Sequence, residues 1–385
     1  MYRDRVSDTD GFVDALMASP LGVALLGFLE AGGRHDRLWT SRSTTTATVA
    51  AAVDAVSEMS FGQFVDAAVY TSVIESGPWI GDAALSVANG YRNAQARAPI
   101  AEAIHERFGE VLHVPLDPGA QQWWTDDQSC REPVTRRFVD YEDVYGSGQF
   151  TWAGLWSVTD PPEEAHDQLV DAWEYEVGPV SRCWLPVRPE AKIFEIHRPE
   201  DWARLVSEHP REGPTHSDWE LPGLNQHHSD IAALEAVPGQ SGVRTSVRRN
   251  LAPDWRSIAS QYDGVHLSWA GFITSEGYIS DLPGGDVTML RYWFSERTLW
   301  LADVFGEPDH APPFALGDSW DQRPTVPALE QDLRSNALRV MLGRWTCSNR
   351  HRGCDSPDRE DFSRLRQARK GYPERGYPRT TTREE

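Results

Sequence analysis

Two short segments place side chains capable of chemistry on predicted strands. The segment KIFEIHR ends on His197 and Arg198, and the segment GVHLSWAG carries His266 and Ser268. Arginine and protonated histidine donate charge-assisted hydrogen bonds to phosphates and to other anionic groups. Histidine also exchanges protons near neutral pH. The pattern therefore predicts a site that holds an anionic or hydroxyl-bearing ligand.

Two glutamates near these segments could add a carboxylate to such a site. Glu296 falls in a predicted tight turn between two strands, and Glu276 follows the second segment. Neither residue lies in a recognisable carboxylate motif. Glu296 is the candidate that we carry forward.

Strand alternation explains the same polar residues without any function. Val265 and Leu267 would face the core, and His266 and Ser268 would then share the opposite face. The outer face of an antiparallel sheet is commonly polar. This explanation stays open beside the functional one.

Two further groups of potential metal ligands are weaker. One group has three ligands where a structural zinc site normally has four, and the other lacks the fixed spacing of a helical metal motif. The groups are Cys347, His351 and Cys354 in the tail, and His216, His227 and His228 in a Gly- and Pro-rich stretch. A polar tail and a solvated loop account for both, so no metal is expected.

The elements around these segments indicate an α+β fold. Residues 8–109 have helical periodicity, and a first helix is interrupted at Pro20. Residues 180–197 predict two short strands, and Pro199 opens a helix that ends before Pro210. Residues 264–274, 278–282, 286–293 and 298–305 are predicted as further strands.

This pattern predicts a helical N-terminal domain followed by a mixed, largely antiparallel sheet domain with flanking helices. The predicted division is a helical domain at 1–110, a structured connector at 111–160, an α+β domain at 161–345 and a basic tail at 346–385. The tail is poor in apolar residues, which favours a mobile segment.

Residues 180–306 resemble small members of the ADP-ribosyltransferase-like fold. The likeness lies in the order of elements: a strand ending in His197 and Arg198, a helix, a long loop, a helix, and a strand with His266-x-Ser268. The resemblance implies that NAD is consumed, with His197 or Arg198 holding it and His266, Ser268 and Glu296 as catalytic residues. A second likeness, of residues 265–305 to stretches of proteins from high-GC Gram-positive bacteria, implies no activity.

The implied chemistry is physically coherent. Breaking the bond between nicotinamide and ribose develops positive charge on the sugar, as glycoside hydrolysis does, and a carboxylate would stabilise that charge. The resemblance also implies that the helical domain regulates the enzyme or recognises its target. A toxin or a phage-defence effector would have this organisation.

Composition restricts the partners. The net charge is −21, while residues 344–385 carry 11 Arg and Lys against 7 Asp and Glu. An acidic body repels nucleic acids and anionic membranes, so nucleic-acid binding is expected only through the basic tail. The longest apolar run, near Leu21–Leu29, is too short for a membrane span and has no export signal. A cytoplasmic location is expected, with the four cysteines as free thiols.

A non-enzymatic function is the alternative. Sixteen tryptophans are many for this length, and tryptophan is common both in cores and at interfaces. An exposed Trp-rich surface would suit a scaffold or an immunity-type protein that binds a protein partner.

Overall fold

The structure is a computed structural model. It describes residues 9–33, 44–76, 83–125, 155–159, 179–212, 249–290, 293, 295–306, 309–310 and 314–315. The chain divides into two compact units, Met1–Glu330 and Gln331–Glu385, and every described residue belongs to the first. The basic tail and both groups of potential metal ligands lie outside the described residues.

Helices dominate the first third of the chain. Their bounds are α1 Thr9–Ala18, α2 Pro20–Glu30, α3 Thr46–Glu58, α4 Phe61–Ser76 and α5 Ala83–Leu112. Ser19 separates the first two helices, since its side chain caps α2 by accepting from Gly22 N, and Pro20 occupies the first turn. The predicted interruption at Pro20 is confirmed.

An eight-stranded sheet forms the centre of the second part. Its strands are β1 Gln121–Thr125, β2 Leu155–Thr159, β3 Pro179–Trp184, β4 Ile193–Ile196, β7 Gly264–Leu267, β10 Arg297–Trp300, β11 Asp309–His310 and β12 Phe314–Ala315. The order is β11-β3-β1-β2-β10-β7-β4, with β12 also paired to β3. Neighbours run antiparallel except β4 and β7, which are parallel.

Two small two-stranded sheets and three short helices accompany the central sheet. They are β5 Pro210–Glu212 with β6 Leu251–Pro253, β8 Ile279–Leu282 with β9 Asp286–Met289, and the helices α6 Pro199–Glu208, α7 Trp255–Ala259 and α8 Trp269–Ser275. The α+β class is therefore confirmed. β1 and β2 lie inside the predicted connector, and the four-part domain division stays a prediction.

The predicted strand over residues 264–274 is wrong in its second half. The strand ends at Leu267, and Ser268 caps α8 by accepting from Gly271 N. All seven residues of α8 are buried, and a short run that is buried on all sides does not distinguish a helix from a strand by periodicity. A Cβ on Gly271 would lie 2.2 Å from Ile196 O, so only glycine allows this close packing on β4.

The helix α8 also contacts the N-terminal helices. Ser19 Oγ donates to Ile273 O over 2.7 Å, and the ring of Phe61 in α4 lies edge-on to Trp269. Ser19 is fully buried, so this contact is shielded from water. The first and second parts of the chain are thus joined by direct polar and aromatic contacts.

In the described part of the chain, no single helix is long and apolar enough to cross a membrane. The α1–α2 pair reaches the required length and composition only when both helices are counted together, and the two are bent by 88°.

Candidate active site

A row of polar side chains crosses four strands on one face of the sheet. The strand register pairs Glu195 with His266, His266 with Thr298, and Thr298 with Ser157. Registered partners on neighbouring strands point to the same face. His266, Thr298 and Ser157 are buried almost completely, whereas the Glu195 side chain is 25% exposed. The row therefore runs from the interior of the sheet toward solvent at β4.

His266 lies between two carboxylates. Its Nδ1 is 2.5 Å from Glu195 Oε2, and its Nε2 is 2.9 Å from Glu296 Oε1. A carboxylate oxygen accepts a hydrogen bond, so each ring nitrogen must carry a proton to donate one. The geometry thus identifies His266 as a buried imidazolium.

The electrostatics agree with this protonation state. Burial alone would lower the pKa of His266, but the charge and hydrogen bond of Glu195, together with those of Glu296, raise it to about 9. With both carboxylates ionised, one imidazolium leaves the three groups with a net negative charge. A negative site of this kind favours a ligand that carries or develops positive charge.

Glu296 ties the network to β2. Its carboxylate accepts from Thr159 N at 3.1 Å and from Thr159 Oγ1 at 2.7 Å, in addition to His266. Thr159 Oγ1 in turn accepts from Gln121 Nε2 at 2.9 Å. Because Glu296 is only 3% exposed, these hydrogen bonds replace water around a buried charge.

Glu195 is the solvent-reaching carboxylate of the network. Its Oε1 accepts from Leu116 N at 3.1 Å, and its Oε2 accepts from His266. Burial alone would raise the pKa of Glu195, but the His266 cation, its hydrogen bond and the Leu116 amide lower it overall. Glu195 is therefore held as an anion beside solvent.

His197 directly follows β4, two residues after Glu195. Its Nδ1 lies 2.9 Å from Ser268 Oγ, and its Nε2 lies 3.9 Å from Glu195 Oε2. The backbone N–H of His197 donates to Asp201 Oδ2. The side chain is 22% exposed, so His197 and Glu195 together form the accessible end of the network.

The structure brings four of the five predicted site residues together. His266 and Glu296 are hydrogen-bonded together with Glu195, and His197 and Ser268 form a second hydrogen-bonded pair whose His197 Nε2 lies 3.9 Å from Glu195 Oε2. Arg198 begins the turn into α6, with its side chain 60% exposed and its Nε 4.0 Å from Glu200 Oε2.

The alternative carboxylate, Glu276, lies at the far end of α8 from Ser268. It caps the C-terminus of that helix, is fully buried, and accepts from Trp293 N at 3.3 Å. Of the two predicted carboxylates, Glu296 is therefore the one in contact with His266.

Glu195 was missed by the sequence analysis, although a signal existed. Glu195 and His197 are two residues apart in a strand, so they must share a face. His266 and Ser268 have the same spacing on the second segment. Pairing the two segments side by side would have placed a carboxylate beside a histidine.

The network should make stability depend on pH in the alkaline range. The pKa of His266 is raised from 6.5 to about 9 in the folded state. The stabilisation that the His266 cation gives to the fold is therefore complete below pH 6.5 and is lost as pH rises through 9. A shift of this size corresponds to on the order of 3 kcal/mol in the free energy of unfolding. Urea unfolding of the wild type at pH 6.5, 8 and 10 measures the loss. A flat profile would contradict the buried imidazolium.

No group of three or more His, Cys, Asp and Glu in the described ranges is arranged to hold a metal ion.

Comparison of the chain with protein-family models, with curated proteins and with solved structures gives no match.

Proposed function

We propose that the chain is an NAD-consuming enzyme of the ADP-ribosyltransferase-like kind, acting in the cytoplasm as a toxin or a phage-defence effector. One observation carries the proposal. Glu195 is an ionised, partly exposed carboxylate at the end of a buried network that also contains His197, His266, Ser268 and Glu296.

The chemistry of NAD suits this arrangement. Its nicotinamide ring is cationic, and cleavage of the bond to ribose moves the positive charge onto the sugar. Glu195 would face that charge, while the His266 cation behind it keeps Glu195 from taking up a proton. Such a preorganised charge stabilises the transition state more than the ground state.

The exposed side chains beside Glu195 suit the diphosphate part of NAD. Arg198 is largely exposed directly after His197, and a guanidinium binds a diphosphate through several parallel N–H donors. In this proposal Arg198 binds the diphosphate, and Ser268 and Glu296 act through the groups that they position rather than by touching NAD.

The test is calorimetric titration of NAD into the purified protein, together with measurement of nicotinamide release. The wild type should bind NAD saturably and release nicotinamide. Arg198→Ala should raise KM with little change in kcat, because the diphosphate contact is the same in the ground and transition states. Arg107→Ala, which removes an exposed arginine from α5, should leave both constants unchanged. Absence of heat and of nicotinamide at millimolar NAD would refute the proposal.

The non-enzymatic alternative lacks a specific supporting observation. The tryptophans with described burial belong mainly to the core: Trp202, Trp255, Trp269, Trp293 and Trp300. Val114 is the large apolar side chain exposed among the described residues. A protein partner, as a modified target or a regulator, remains part of the enzymatic proposal.

A further inference from the structure

The hydroxyl of Ser268 has three polar neighbours and one hydrogen to share among them. Gly271 N lies 3.1 Å from Ser268 Oγ, Ile196 O lies 3.2 Å from it, and His197 Nδ1 lies 2.9 Å from it. Ser268 is 1% exposed, so water does not compete for these positions. The hydrogen bonds can be assigned by counting donors and acceptors.

Two of the three contacts have a fixed direction. The Gly271 amide can only donate to Ser268 Oγ, and the Ile196 carbonyl can only accept from it. Ile196 O also accepts from Ser268 N at 3.1 Å, and its second lone pair takes the hydroxyl hydrogen in the assignment that satisfies all three contacts of Oγ. In that assignment the remaining lone pair of Oγ accepts from His197 Nδ1, which carries a hydrogen. In a neutral ring, Nε2 of His197 then has a free lone pair.

Nε2 of His197 makes no hydrogen bond to Glu195, because it lies 3.9 Å from that carboxylate, beyond hydrogen-bond range. The surroundings of the ring also determine its charge. Burial lowers the pKa of His197, and the His266 and His113 side chains lower it further, against the opposing effect of Glu195 and Asp201. The ring is therefore neutral at pH 7.

We propose that His197 is a general base, with Ser268 as the positioning residue that leaves its Nε2 free to take a proton. The identity of the reaction rests on the proposed function. The attacking hydroxyl or water gives its proton to Nε2 of His197. The oxygen of the attacking group then bonds to the anomeric carbon of the ribose. The bond from that carbon to nicotinamide breaks, and its electron pair stays on the ring nitrogen. The imidazolium that forms lies beside the Glu195 carboxylate.

The tautomer is measurable without NAD. Long-range 1H–15N spectra of the histidine rings at pH 7, with His197→Gln for assignment, distinguish a ring protonated on Nδ1 from one protonated on Nε2. The wild type should show the Nδ1–H form. Ser268→Gly removes the hydroxyl at little cost to the helix cap and should lose this preference, whereas Ser268→Thr keeps the hydroxyl and should retain it. An Nε2–H ring in the wild type overturns the proposal.

Kinetics test the base itself. A general base contributes about 100-fold or more, so His197→Gln should lower kcat for nicotinamide release by at least that factor. The wild-type rate should fall as pH falls and His197 is protonated, and His197→Gln should lose this dependence. An active wild type with an unchanged rate in His197→Gln would reject the base and leave the proposed function standing. An inactive wild type would reject the proposed function whatever the tautomer.

Discussion

His266→Leu should destabilise the protein by about 3–5 kcal/mol at pH 7, the usual cost of stranding a buried charge. Leucine removes the imidazolium that is hydrogen-bonded to both Glu195 and Glu296. Glu195 can recover some hydration at its exposed side, but Glu296 is 4% exposed in its side chain and cannot. The unfolding free energy from urea titration, followed by tryptophan fluorescence, measures the loss.

The matched controls are Glu296→Gln alone and the double variant His266→Leu with Glu296→Gln. Glutamine keeps an oxygen for the Thr159 hydrogen bonds and removes the stranded charge, so the double variant should be more stable than His266→Leu alone. This non-additivity identifies a charge effect rather than loss of packing. A single variant within 1 kcal/mol of the wild type, or a double variant with the two losses summed, would disprove the network as a stabilising unit.

Glu195→Gln should lower kcat for nicotinamide release by about 100- to 1,000-fold, the range measured when one preorganised electrostatic contact is removed. Glutamine has nearly the same shape, and its oxygen can still accept from Leu116 N. In the proposed reaction, the substitution removes the negative charge that would lie beside the ribose. KM should change less than kcat, because the charge acts mainly in the transition state.

Glu208→Gln is the control for Glu195→Gln. Glu208 is an exposed carboxylate at the end of α6, so its substitution changes net charge equally and should leave kcat unchanged. Far-ultraviolet circular dichroism of both variants shows whether the fold is retained. A folded Glu195→Gln variant with wild-type kcat would remove Glu195 from the catalytic site.

The elements of the fold were largely predictable because their signals are local. Ser19 and Pro20 end one helix and start the next, and Pro199 with the acidic residues after it starts α6. The switch from strand to helix at Ser268 was missed because Leu267 through Ser275 are all buried. Uniform burial removes the periodicity on which such an assignment depends.

The residues of the candidate site were predictable except for Glu195, but their mutual contacts were not, because those contacts are distant in sequence. His266 and Ser268 were identified from their types, and Glu296 was selected without a partner. The hydrogen bond from Thr159 to Glu296 spans 137 residues, and the pairing of Glu195 with His266 spans 71. Spacing along the chain does not encode the strand register that creates these contacts.

The contact between Ser19 and Ile273 limits how the protein can diverge. Ser268, the N-cap residue of α8, contacts His197, and the last turn of α8 receives the Ser19 hydrogen bond. A substitution at the α1–α2 junction that shifts α8 would displace the side chains at its other end. The N-terminal helices and the sheet should therefore accumulate substitutions in compensating pairs, and helices transplanted from a distant homologue should fit poorly.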